Sequence, residues 1–539
     1  MKIFSIMCRL LIVCLVAVAV FISPNKSIAA NWSVLDYMPA ILAAISTSST
    51  DPPASIPPPP NNWKSHSDID EWKGADTCLS CHTEAAKQVF SSVHYQWLGQ
   101  TPYMNNGPEL QGKLDVGVNS YCINITGNWN GCGACHVGLG ARPETIQSTA
   151  QLRNIDCLVC HQEEYKRKKV DGKFVPDTDK MSITIVEAAK TVHLPTRATC
   201  LQCHAKGGGG DNYKRGDMAL AHASTTDRSF DVHMSTTGGD LSCQDCHVTT
   251  KHLMAGKGTD LRPTDLDVQM SCTDCHQDKA STDGHDNQSI GNHVSRVACQ
   301  TCHIGAYARN ASDTAASEMT EIHRDWQVPH LTATGAIHPT PDMAGNLIPK
   351  YKWWNGTSTS YLLYDQVTID PVTDNIPTSR PSGTVRDSAA KLYPFKYKTA
   401  WQPMATATND LIALDTSVYF TTGDAVAAIE SGLVNMGYSG QSSFKWVTTD
   451  TYQLITHEVM PSNNALDCAS CHANTQRMDL QGELGYELKK PLSSLCLDCP
   501  DDEGNSRSFE WIHEKHVEDI GYDCSRCHTF TRPERGLKK

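Results

Sequence analysis

Cysteine and histidine each occur 23 times in this chain of 539 residues, and most of the cysteines obey one spacing. Cys-x-x-Cys-His recurs nine times: Cys78/Cys81/His82, Cys132/Cys135/His136, Cys157/Cys160/His161, Cys200/Cys203/His204, Cys243/Cys246/His247, Cys272/Cys275/His276, Cys299/Cys302/His303, Cys468/Cys471/His472 and Cys524/Cys527/His528. Random placement at these frequencies would give about 0.04 copies, so nine carry chemical meaning. Two thiols at this spacing can both add to the vinyl groups of one porphyrin, and the next imidazole can return to the iron as an axial ligand. Zinc knuckles share the cysteine spacing but do not place a histidine after every second cysteine. Disulfide frameworks have no use for that histidine either. The pattern predicts nine covalently attached haem c groups.

The remaining cysteines and histidines divide by context. Cys496 and Cys499 have the motif spacing, but Pro500 replaces the histidine and cannot ligate iron. A disulfide or an unbridged pair is expected there in place of a tenth haem. Cys122 stands alone, ten residues before the second motif. The ordinary fate of such a thiol is inert burial. Fourteen histidines lie outside the motifs, and nine haems need at most nine sixth ligands. The candidates are His94, His193, His222, His233, His252, His285, His293, His457, His513 and His516. His66, His323, His330 and His338 complete the inventory. Paired imidazoles close an iron to substrate and suit it to electron transfer.

The elements that must position these groups are short. Seven motifs fall within residues 78–303, about 32 residues for each, too few to wrap every macrocycle separately. The haems should therefore form much of the core and lie near one another. The expected fold is mainly α with extensive irregular loops around a multihaem cytochrome c cluster. Residues 83–98 carry a helix-like apolar stripe that includes His94, and residues 424–436 read as one amphipathic helix. The rest of 304–467 reads as loops packed over the haems.

Along the chain, residues 1–30 read as a cleavable signal peptide. Lys2 and Arg9 precede an apolar core of 13 residues, Leu10 to Ile22, and small residues follow. That core is short for a membrane span. Export to the periplasm is expected, with an extracellular location also open, and it agrees with haem c attachment outside the cytoplasm. Cleavage would remove Cys8, Cys14 and three basic residues, taking the formal charge from −13 to −16. Residues 31–70 form a Pro-rich linker, 71–310 a seven-haem domain, and 311–475 an aromatic-rich segment free of motifs until it ends in the eighth. Residues 476–539 are a C-terminal extension with the Cys496/Cys499 pair and the ninth motif. The acidic balance argues against nucleic acid as a partner. It also opposes capture of anions, which would need a local basic funnel.

Several stretches together resemble the octahaem tetrathionate reductase family of periplasmic cytochromes. They are CLSCHTEAAKQV at 78–89, NSYCIN at 119–124, CGACHVGLG at 132–140, DCLVCH at 156–161 and CHAKGGGGDNYKRGD at 203–217. DVHM at 231–234, CQTCHIGAYAR at 299–309, KWWNGT at 352–357 and HEVMPSNNALDCASCH at 457–472 continue the series. The coverage is roughly residues 70–475, in unbroken order. That family is related in haem arrangement to hydroxylamine oxidoreductase and multihaem nitrite reductases. The resemblance implies one catalytic haem, the second, among bis-His carriers. It further implies that Lys214 in the Gly-rich stretch ligates that iron and that Cys122 is an active-site cysteine. A buried lysine can be neutral and so bind a metal, whereas most lysines are solvated charges. Lys166, Lys168, Lys169 and Lys206 lie nearby as competitors, and the spacing leaves open whether His136 stays on the iron.

Two functions compete on this reading. One is a periplasmic oxidoreductase reducing small sulfur or nitrogen compounds such as tetrathionate, nitrite or hydroxylamine. The other is a non-catalytic electron conduit or shuttle with every haem closed. Either would take redox partner cytochromes or a quinol-oxidising membrane cytochrome, and the first also a small inorganic substrate. The C-terminal extension would add a point of electron input or output beyond the family's eight haems.

Overall fold

The computed structural model describes residues 55–119, 124–205, 218–256, 263–268, 270–280, 284–285, 288–315, 317–438, 440, 443–472, 474–488 and 528–529. The expected signal peptide, Cys122, Lys214, the Cys496/Cys499 pair, Cys524, Cys527, His513 and His516 lie outside these residues. His528 is described only by its backbone, which pairs in a short antiparallel bridge with Leu488.

Helices in the motif-rich half are short, and several across the chain end on a motif histidine, among them His161, His204, His303 and His472. α1 (Asp76–Phe90) buries Leu79, Ala86 and Phe90, and its helical geometry breaks at His82, where φ is −112° and ψ is 35°. Ser91 and Ser92 interrupt the stripe expected over 83–98, and a separate turn covers Val93–Gln96. α2 (Ile125–Cys132) starts at the N-cap Asn124, whose side chain accepts from the Thr126 amide at 2.9 Å. The amide end of Asn124 donates to the Asp115 and Gly117 carbonyls at 2.6 and 2.7 Å. This one buried side chain ties the helix start to the chain before it. α3 (Arg197–His204) begins at a Thr196 cap and carries the fourth motif at its end.

The mainly-α expectation is overturned between residues 320 and 454. A seven-stranded mixed sheet occupies this stretch, built from β1 (Thr320–Leu331), β2 (Ile337–Ala344), β3 (Lys350–Trp354), β4 (Ile376–Pro377), β5 (Lys391–Ala405), β6 (Asp410–Leu411) and β7 (Phe444–Leu454). Its main path runs β4–β7–β5–β1–β2, with β3 and β6 also pairing with β5. β5 is antiparallel to β7 over eleven pairs, Phe395↔Leu454 to Ala405↔Phe444, and parallel to β1. The strands escape hydropathy reading because charged residues sit inside. Lys396 and Lys398 of β5 and Glu321 and Arg324 of β1 are all buried.

The helix expected at 424–436 is present. α4 (Thr416–Thr422) is capped by Asp415, ends at Gly423 with φ 72°, and is followed by α5 (Ala425–Asn435), capped by Asp424. α2 and α5 both press on the extended segment at Ala413–Leu414. A Cβ on Gly127 would stand 2.6 Å from the Leu414 carbonyl oxygen, and one on Gly432 would stand 2.6 Å from that of Ala413. Glycine at both positions lets the sheet side of the fold hold the helix that delivers the second motif. At the N-terminal end, Trp63 and Ile69 bury against Ala189, so part of the expected linker is packed structure.

Candidate functional site

The second motif lies in an aromatic box. Cys132 closes α2, and His136 is fully buried, with ring centres of Tyr95, Trp97 and Trp129 at 5.0, 5.3 and 5.5 Å. His136 Nε2–H donates to the Tyr95 carbonyl at 2.6 Å, and Nδ1 has no hydrogen-bond partner among the described residues. The carbonyl can only accept, which fixes the tautomer. Burial pushes the His136 imidazole down to about 4, so the ring is neutral.

Arg167 clamps this loop. It extends from a hairpin (Arg167–Val170 with Lys173–Pro176) and donates to the carbonyls of Ala134, His136 and Gly138 at 3.0, 3.0 and 3.1 Å. It also pairs with buried Asp156 at 3.0 Å and lies 4.6 Å from the centre of the Phe174 ring. Sequence reasoning singles out neither Arg167 nor Asp156; a charged residue just before Cys157 is too weak a signal. Arg167→Met should leave the Asp156 carboxyl buried without its cation and three carbonyls without a donor. Loss of one partner of such a pair costs about 3–5 kcal/mol. Chemical denaturation of the haem-loaded protein measures it, and a change below about 1 kcal/mol would contradict the clamp.

The other motif histidines are arranged differently. His82 faces His66, His161 faces His252, and His204 faces His94, with ring centres 5.7, 6.2 and 6.2 Å apart. His247 faces His457 at 6.5 Å, His276 faces His233 at 6.1 Å, and His472 faces His293 at 6.0 Å. His303 lies within electrostatic reach of His285; burial first, and then that ring, lower its proton affinity. Two imidazoles on opposite sides of one metal, each bonded at about 2.0 Å with its ring centre roughly 1.1 Å further out, stand roughly 6.2 Å apart. The observed separations meet that requirement, so these residues fit a six-coordinate haem iron. The backbone fixes the rings accordingly. His161 Nδ1 donates to the His193 carbonyl at 2.8 Å and His247 Nδ1 to that of Ala255 at 3.1 Å. His252 Nδ1 is held by the Gln88 side chain at 3.0 Å. Engaging Nδ1 leaves Nε2 as the metal-binding nitrogen. His136 engages the opposite nitrogen.

Two sequence candidates fall outside this scheme. The His193 ring donates to the Leu194 carbonyl and lies against no motif histidine among the described residues; its own carbonyl orients His161. His222 is buried 3.4 Å from the Asp231 carboxylate, beside His457 and Phe230. His66 escapes the sequence candidates because it stands in the stretch read as linker.

The motif cysteines adjoin one another across motifs. Cys78 is hydrogen-bonded to Cys157, Cys135 to Cys203, Cys200 to Cys243 and Cys272 to Cys299. Cys160 lies in electrostatic contact with Cys200, Cys246 with Cys275, and Cys302 with Cys471. These contacts join all eight described motifs into one series, with the second branching from the fourth.

The motif cysteines differ in depth, with Cys132 buried. Cys81 of the first motif and Cys468 of the eighth are exposed. α1 buries Leu79 and Ala86 and leaves Cys81 outside, where the Ser80 hydroxyl donates to its sulfur at 3.9 Å. Its partner thiol Cys78 is the one turned inward, toward Cys157. Exposure is not confined to the ends: Cys246, Cys272, Cys275 and Cys299 of the fifth to seventh motifs are exposed as well.

Known proteins give the same class. A family model described as "Cytochrome c bacterial" matches residues 340–475. The crystal structure of an octaheme cytochrome c from Shewanella oneidensis superposes with a TM-score of 0.65 at 27% identity, covering 79% of this chain and 98% of that one. An uncharacterized protein of Archaeoglobus fulgidus is 29% identical over 230 residues, which is 34% of this chain and 76% of the relative. The fold and the haem motifs define a redox protein built on haem c. These likenesses and the motifs together support a multihaem c-type cytochrome. No helix among the described residues is long and apolar enough to cross a membrane.

Proposed function

We propose that this cytochrome is an exported oxidoreductase that reduces small sulfur or nitrogen compounds at the haem on Cys132 and Cys135. The supporting observation is the exception at His136. Of the eight motif histidines described, seven have a second imidazole in reach, whereas His136 has aromatic walls and a nitrogen committed to the Tyr95 carbonyl. A haem iron without two imidazoles keeps a position for substrate, and it supplies electrons to whatever binds there. Lys214 is assigned as its protein ligand and Cys122 as the thiol beside the substrate, both from the family resemblance. The Tyr95, Trp97 and Trp129 rings exclude water from one side, and Arg167 fixes the loop between the two thioether positions. The paired histidines elsewhere suit carriers that feed this centre, nine haems in all.

The test combines counting with ligand binding on the purified, haem-loaded protein. Intact mass should give nine covalent haems; ten would mean that Cys496/Cys499 also binds one. One high-spin EPR signal should shift on adding nitrite, hydroxylamine or cyanide, while the low-spin signals stay. An entirely low-spin spectrum, indifferent to all three, would give the electron conduit the lead.

A further inference from the structure

Two short stretches carry second imidazoles for neighbouring motifs, and one buried carboxylate joins them. Asp231 is 1% exposed. Its Oδ1 accepts from the His233 and Met234 amides at 2.9 and 3.0 Å. Its Oδ2 accepts from the Glu458 amide, 227 residues away in sequence, at 2.8 Å. The Val232 amide donates to the Val459 carbonyl at 2.8 Å and extends the junction. His233 faces His276 of the sixth motif, and His457, the residue before Glu458, faces His247 of the fifth. Buried His222, left over by the haem scheme, stands 3.4 Å from Oδ2, with its ring centre 6.2 Å from that of His457.

Arg309 closes the junction from the other side. It donates to the Glu458 carboxylate at 3.2 Å, to the Glu458 carbonyl at 2.8 Å and to the Ser229 carbonyl at 2.7 Å. Glu458 is fully buried with φ 60°, a left-handed conformation that a residue with a side chain holds only where its surroundings impose it. A local turn at Asp231 needs only the amides two and three residues on. The second oxygen serves a distant segment, and the amide it binds adjoins a ligand. A buried carboxylate is costly unless its acceptor positions are filled. Here the backbone of the two ligand-bearing turns fills both oxygens. The haems concerned are consecutive, since Cys246 of the fifth motif lies in electrostatic contact with Cys275 of the sixth and with Asp231 itself.

We propose that Asp231 is a positioning residue shared by two haems: it sets the backbone at His233 and at His457, and so the axial imidazoles at both ends of one electron-transfer step. Outer partners of this kind fix the orientation of metal ligands and tune the metal. The proposal rests on the reading of these two histidines as iron ligands and is independent of the catalytic haem.

The test uses the full haem-loaded protein and reads its EPR spectrum. His457→Met and His233→Met should each lose one bis-imidazole signal, which identifies the fifth and sixth haems. Asp231→Ala should shift or abolish both of these signals and leave the other low-spin signals in place, with the wild-type number of haems by mass. Asp231→Asn keeps one oxygen for the His233 and Met234 amides but turns an NH2 group toward the Glu458 amide. It should shift the fifth-haem signal and spare the sixth, and it decides alone if Asp231→Ala fails to assemble. Wild-type signals from both haems in Asp231→Ala, or from the fifth in Asp231→Asn, would overturn the proposal while leaving the ligands assigned. Equal changes in every low-spin signal would mark a general packing role and overturn it as well. If the methionine variants lose no bis-imidazole signal, the ligand reading falls and the proposal with it.

Discussion

Lys214→Ala should yield a protein that keeps every thioether-bound haem yet loses most of its turnover with nitrite, hydroxylamine or tetrathionate. The reason lies at His136. Its Nε2 is occupied by the Tyr95 carbonyl and its surroundings are aromatic, so among the described residues no second imidazole is at hand to replace a lost ligand. An amine held away from water gives up its proton and becomes a donor to iron. Removing it exchanges nitrogen for water, which changes the spin state and potential of that haem alone. Axial ligand identity moves haem potentials across a range of about 0.8 V. Turnover should fall by at least the roughly tenfold to hundredfold that loss of a ligand-orienting partner costs a metal site. EPR and steady-state assays read the two effects together. Lys206→Ala is the control and should change neither, because Lys206 lies only three residues after Cys203, too near that motif's own haem in sequence to serve the second. An unaltered spectrum and rate in Lys214→Ala would remove the catalytic assignment.

What is legible in the sequence is the chemistry that is local along the chain. Haem attachment needs two thiols and an imidazole within five residues, so the motifs declare themselves without any fold. Their depth does not: Cys81 and Cys132 belong to identical motifs, yet one is exposed and the other buried. The pairing of His94 with His204 or His293 with His472 is not local either; each spans over a hundred residues. Sequence can supply only an inventory of such histidines. His193 and His222 enter that inventory on the same footing as His94, and only the hydrogen bonds of their rings separate them. His66 is hidden by its setting, since a proline-rich stretch gives no sign that Trp63 and Ile69 will bury. The sheet escapes for an energetic reason. β5 alternates as a strand should, but Lys396 and Lys398 occupy inward positions that pattern reading assigns to solvent.

His94→Met should be the substitution that most impedes electron delivery to the second motif while leaving ligand binding there intact. The fourth motif is the junction: Cys203 is hydrogen-bonded to Cys135 of the second, Cys200 to Cys243 of the fifth, and Cys160 of the third lies within electrostatic reach of Cys200. Electrons that follow these contacts reach the second haem through the one on Cys200 and Cys203. His94 stands opposite His204 at 6.2 Å, and burial keeps its ring neutral and ready to ligate. Methionine in its place gives a His/Met iron, whose potential is higher. For one electron, every 59 mV is a factor of ten, so a rise of about 120 mV makes the onward step roughly a hundredfold less favourable. The electron is then trapped one haem short of the substrate. Redox titration should show one haem moved upward, EPR should show one bis-imidazole signal lost, and turnover should fall by one to two orders of magnitude. Nitrite should still shift the high-spin signal as in wild type. If turnover holds despite the raised potential, electrons reach the second motif by a route that does not use the fourth, and the cysteine contacts do not trace the path.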